Sequence, residues 1–96
     1  MSIERQTMAD EARVEEKFVR KCKALGCTTI KLGQNGWPDR IVVVPGGRSL
    51  YVELKGEGCR PRALQLQRMA TLRRMGAHVA WFDNSTDAVA WVEGHL

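Results

Sequence analysis

Cysteine is scarce and scattered: Cys22, Cys27 and Cys59 form an odd set with no C-x-x-C, and neither His78 nor His95 stands at ligand spacing to them. That argues against a disulfide framework and against a structural zinc site. Long apolar runs are missing as well. None approaches the length that spans a bilayer, and Met1 to Asp10 is polar rather than a signal peptide, so no membrane association and a cytoplasmic location are expected. Internal repeats, low-complexity tracts and linkers are absent, and the two histidines lack partners at catalytic spacing. What remains is a chain of 96 residues, enough for one domain with a single modest core, here expected to be residues 1–96 with a frayed tail at 1–6. Lysine and arginine number 15 against 11 acids, a net charge of +4 that is compatible with a polyanionic partner without being diagnostic of one.

The stretch from Gly36 to Lys55, GWPDRIVVVPGGRSLYVELK, organises the rest. It reads as two short apolar strands joined by Pro45-Gly46-Gly47, with Asp39 heading the first and Glu53 and Lys55 at the foot of the second. The strand period of two places Glu53 and Lys55 on one face and Leu54 on the other. A three-residue loop, built on a type I turn with a left-handed glycine, would pair Val44 with Arg48 and set Asp39 directly across from Glu53. A two-residue turn would shift the register by one and separate the carboxylates onto opposite faces. Two carboxylates held opposite each other repel unless something positive sits between them, and a divalent cation is the obvious candidate. The ordinary reading of a lone E-x-K is a solvated hairpin with Lys55 paired to Glu53 or Glu57. The P-D upstream, and the hairpin that registers it, weigh against that reading.

Upstream, Thr7 to Asp10 fits a capping box, so a helix is expected to begin near Met8, run along Val14, Phe18, Cys22 and Leu25, and end at Gly26. Glu11 and Glu15 both project onto that apolar stripe, where a carboxylate is costly unless paired. Glu15 either reaches the Asp39/Glu53 site or caps and snorkels, and Glu11 lies a turn nearer solvent. Cys27 to Leu32 reads as the first strand, Asp39 to Val44 and Ser49 to Lys55 as the second and third. The unbroken Ile41 to Val44 run marks a central strand covered on both faces, which requires helices on both sides of the sheet. Pro61 opens a helix to about Met75 that carries Gln65, Met69 and Leu72 on one face. Gln65 therefore points inward, either to bond nearby backbone or to orient water or substrate. Arg60, Arg62, Arg68, Arg73 and Arg74 decorate this segment as a solvated face or a phosphate-binding surface. Ala77 to Phe82 is the fourth strand, and Asn84 caps a last helix through Glu93. The order αβββαβα describes an α/β fold, an α/β/α sandwich on a mixed four-stranded sheet.

With these residues in place the chain resembles the VRR-NUC family of the PD-(D/E)xK nuclease superfamily, in particular its small stand-alone phage and bacterial members. The resemblance rests on E-x-x-V-E-x-x-F at Glu11 to Phe18, G-W-P-D-R at Gly36 to Arg40, P-G-G-R at Pro45 to Arg48, V-E-L-K at Val52 to Lys55 and A-L-Q at Ala63 to Gln65. The segment between Lys31 and Gly36 looks shorter than in many relatives. The resemblance implies a restriction-endonuclease-like fold, Asp39, Glu53 and Lys55 as the catalytic set, and Glu15 and Gln65 as supporting helix residues. It implies a Mg²⁺ or Mn²⁺ ion held by Asp39, Glu53 and the Leu54 carbonyl, with Glu15 at a second ion or its water shell. Arg40, Arg60, Arg62 and Arg68 would contact DNA. The family is similar to Holliday junction resolvases, which implies a homodimeric endodeoxyribonuclease acting on branched DNA in a bacterial or phage-infected cell. The alternatives are a flap, nicked-duplex or restriction-like nuclease, or a non-catalytic DNA-binding module.

Overall fold

The computed structural model describes residues 3–96. Three helices and four strands follow in the expected order: α1 (Ile3–Ala24), β1 (Thr28–Lys31), β2 (Arg40–Val43), β3 (Ser49–Leu54), α2 (Ala63–Arg74), β4 (His78–Phe82) and α3 (Ser85–Glu93). The sheet runs β1-β2-β3-β4. The first three strands form an antiparallel meander, and β4 returns parallel to β3 through α2. Such a parallel return needs a crossover of this kind, because a tight turn can only reverse the chain.

Helix α1 begins at Ile3 rather than near Met8, so Thr7 lies inside it and is not its cap. The segment Ile3 to Met8 holds no glycine or proline and is rich in Glu, Arg and Gln, so nothing in it opposes helix. Of the expected tail, residues 1 and 2 lie outside the described residues and the rest is helical. At the other end of the chain Asn84 caps α3 as expected, its side chain accepting from the Asp87 backbone N–H at 2.8 Å.

The hairpin has the register that matters. Val44 donates its N–H to the Arg48 carbonyl at 2.9 Å, and Arg40 pairs with Val52 and Ile41 with Tyr51, so Asp39 falls opposite Glu53. The turn itself differs from expectation. Gly46 follows Pro45 with φ 97° in a turn closed by a Gly47 N–H to Val44 carbonyl bond, which is type II geometry rather than type I. Gly47 is also left-handed, at φ 96°. The register survives because both turn types leave three residues between the paired ends.

One face of the sheet carries Val42, Val44, Leu50, Val52 and Leu54, all buried against Phe18 and Cys22 of α1 and Ala88, Val89 and Val92 of α3. The opposite face carries Ile30, Ile41, Tyr51 and Val79 in one cross-strand row. Here α2 packs against β4, and its Leu72 lines a cavity with Tyr51. The expected cover on both faces is thus only half present: Ile30 is 48 % exposed, and Ile41 and Val43 are half-buried. A single helix about 10 Å wide spans roughly two strands at ~4.8 Å spacing, and α2 sits over the β4 side.

Candidate active site

Asp39 lies immediately before β2, where the chain is pinned on both flanks. Its carbonyl accepts from the Leu32 N–H at 2.8 Å, and its side-chain Oδ2 accepts from the Leu54 N–H at 2.8 Å. The residue before Leu54 in β3 is Glu53, 1 % exposed, with neither carboxylate oxygen meeting a hydrogen-bond donor among the described residues. Burial first, and then the adjacent Asp39 carboxylate, push Glu53 up to about 8; Glu11 adds to this and Lys55 opposes it. As two carboxylates the pair leave each other without a donor, whereas a proton between them would be shared.

Lys55 follows at the end of β3, its backbone N–H held by the Phe82 carbonyl at 2.9 Å. Its side chain is only 14 % exposed, and Nζ lies 3.5 Å from Glu11 Oε1 and 3.8 Å from Glu53 Oε2. The helix acid at the site is therefore Glu11, not Glu15. Glu15 sits one turn further along α1, where its Oε1 takes two charged bonds of 2.9 Å, from Lys31 Nζ and Arg40 Nε. This corrects the expectation for Glu15, and the same contact draws the Arg40 Nε to the α1 side. The reason is the strand period: consecutive residues face opposite ways, so Asp39 turns to the site and Arg40 turns to α1.

Gln65 is buried, and the bond it makes is local: Oε1 accepts from the Arg62 backbone N–H at 2.8 Å, closing the first turn of α2. The local alternative for Gln65, a bond to nearby backbone, is thus realised. Of the remaining arginines, Arg60 is exposed, and Arg62 reaches Asn35 Oδ1 at 3.4 Å. Arg68 lies over the Trp37 ring at 4.8 Å, with its Nε buried and without a hydrogen-bond partner among the described residues. This stack ties α2 to the loop carrying Asp39, and a Trp two residues before an Asp held no signal for it. Gly36 completes the seam: at φ 85°, a Cβ there would stand 2.9 Å from Leu64 Cδ2.

The donors present suit a hard cation. Among the described residues no three His, Cys, Asp or Glu side chains converge as a metal-holding group, so the protein contributes two carboxylates, Asp39 and Glu53. Mg²⁺ is commonly held in this way, by one or two carboxylates with water and phosphate completing the shell. The orphaned, buried Glu53 oxygens fit such an ion better than they fit an empty core, where an uncompensated charge is costly.

No family model matches the sequence. Over 77 residues it is 32 % identical to a protein named "Putative nuclease p44" from Acyrthosiphon pisum secondary endosymbiont phage 1, covering 77 % of this chain and 83 % of that one. A solved structure described as a VRR_NUC domain superimposes with a TM-score of 0.79 at 30 % identity, over 91 % of this chain and 98 % of the other. Agreement of fold, strand order and sequence over nearly the full length of both chains leads to one assignment: this chain belongs to the VRR-NUC family.

Proposed function

We propose that the protein is a divalent-metal-dependent DNA endonuclease that acts on branched DNA, four-way junctions foremost, as a homodimer. The observation that carries this reading is the buried Glu53 carboxylate, without a donor and set beside Asp39 and Lys55. When bound there, Mg²⁺ or Mn²⁺ would supply Lewis acidity toward a non-bridging phosphate oxygen and a more acidic water. Asp39 is aimed by the Leu54 N–H, which leaves its second oxygen for the cation. Glu53 brings the charge that the cation offsets. Lys55, held between Glu11 and Glu53, is placed to orient the attacking water and to offset charge gathering on the phosphorus centre. Glu11 positions the Lys55 ammonium. Arg60, Arg62 and Arg68 lie on or next to α2 as phosphate contacts, and the sequence carries no recognisable base-reading module, so backbone and shape carry recognition.

Cleavage of four-way junctions, flaps, nicked duplexes and linear duplexes, side by side with Mg²⁺, Mn²⁺ and chelator, tests this reading. Incision of the junction that requires the cation and disappears in Asp39→Asn and Glu53→Gln is the expected result. Preference for flaps or nicks would move the substrate class, and intact function in both variants would leave a DNA-binding module. Light scattering that returned the monomer mass at micromolar concentration would remove the homodimer.

A further inference from the structure

Beside the carboxylate pair, on the same face of the sheet, lies an apolar cavity of about 300 Å³ whose walls include Leu32, Trp37, Pro38, Tyr51 and Leu72. Among the described residues no carboxylate, amine or guanidinium lines it. Its position is set by the chain itself. Pro38 is the residue before Asp39, and Tyr51 precedes Glu53 by two in β3, so the wall and the acid point the same way, about 7 Å apart along the strand. The Trp37 ring is packed against the Arg68 guanidinium, 4.8 Å from its centroid, next to the tight seam at Gly36. Arg68, at the middle of α2, stacks on the Trp37 wall, and Arg62, at its start, reaches Asn35 next to the Gln34 of the lining, so two guanidiniums neighbour an uncharged slot.

We propose that this cavity receives an unpaired nucleobase of the DNA, one nucleotide away from the phosphate that Asp39 and Glu53 engage. The inference rests on the nuclease reading above and gives its structure preference a physical source. A slot of this volume is at the small end of ligand sites and is large enough for one nucleobase. Its aromatic and aliphatic walls complement the face of any base, and the two guanidiniums complement the flanking phosphates. A base within duplex must be unstacked before it can enter, whereas one at a branch point, bulge or flap is already free, so duplex is disfavoured without any clash.

The test compares two DNAs at fixed salt with chelator present, so that binding is read apart from cleavage: a duplex with one unpaired thymine, and the same duplex with an abasic residue there. Fluorescence anisotropy is expected to show about tenfold tighter binding of the base-bearing DNA. Gly33 borders the cavity, its φ is not left-handed, and nothing lies within 4 Å of a Cβ built on it. Gly33→Phe, checked for an unchanged thermal midpoint, should bring the ratio of the two affinities close to one. Equal binding of the two DNAs by the unaltered protein would overturn the proposal, and so would a preserved ratio in Gly33→Phe. A changed molecular mass in Gly33→Phe with the ratio intact would assign the cavity to protein contact instead. Failure of every DNA to be cut would count against the hydrolase, while the affinity ratio would still report on the slot.

Discussion

The side chain of Asp39 accepts the backbone N–H of Leu54 at 2.8 Å, so the first acid of the site is clamped to the strand that carries the second. One hydrogen bond thereby fixes the Asp39 carboxylate relative to Glu53, whose own oxygens have no donor among the described residues. The pair is unequal: one acid is positioned by backbone, the other is buried and unsatisfied.

That inequality predicts a pH dependence of stability in chelator. The Glu53 carboxyl is raised from 4.5 to about 8, so between these values the folded state holds a proton that the unfolded state has lost. Stability then falls as pH rises from about 4.5 to about 8 and levels off above, by an amount on the order of 5 kcal/mol. Glu53→Gln should flatten the slope in chemical denaturation, and saturating Mn²⁺ should raise stability most at the alkaline end. A slope of the opposite sign in the unaltered protein would contradict the burial of Glu53.

The two helix acids should separate cleanly. Glu15→Gln weakens the charged contacts of both Lys31 and Arg40, and a stability loss of about 1–3 kcal/mol with cleavage per folded molecule largely retained is expected. Glu11 is 38 % exposed, so Glu11→Gln should cost well under ~1 kcal/mol of stability. Its effect should instead be a fall in cleavage rate of about tenfold and an altered pH profile, because the Lys55 ammonium loses a neighbour. Urea melts and single-turnover rates on both variants decide the assignment.

Gly36→Ala forces a Cβ to within 2.9 Å of Leu64 Cδ2 at a left-handed φ of 85°. A loss of about 1–3 kcal/mol is expected. Adding Leu64→Ala should recover the steric part but not the backbone part, which a double-mutant cycle by thermal denaturation would show.

At the hairpin, Gly46→Ala should cost about 1–2 kcal/mol, since φ there is 97°. Cleavage by the molecules that remain folded should be unchanged, because the register is set by the pairing of Val44 with Arg48 and not by the turn residue itself. Deleting Gly47 is different. It shortens the loop by one, turns the acids to opposite faces and should abolish cleavage even where circular dichroism still reports folded protein.

The amino-acid sequence alone determined the order of elements, the Asn84 cap, the three-residue hairpin loop and hence the opposition of Asp39 and Glu53. All of these rest on short-range rules: the period of a strand or helix, the chemistry of a turn, the reach of a cap. Strand alternation also held the fate of Arg40, since its neighbour Asp39 faces the other way. Only the tertiary structure decided which helix acid meets Lys55, because Glu11 and Glu15 lie on one stripe and the angle at which α1 crosses the sheet chooses between them. The Trp37–Arg68 stack, the commitment of Gln65 to its own helix and the half-covered second face depend in the same way on where α2 comes to rest, a position set by long-range packing that no local pattern encodes.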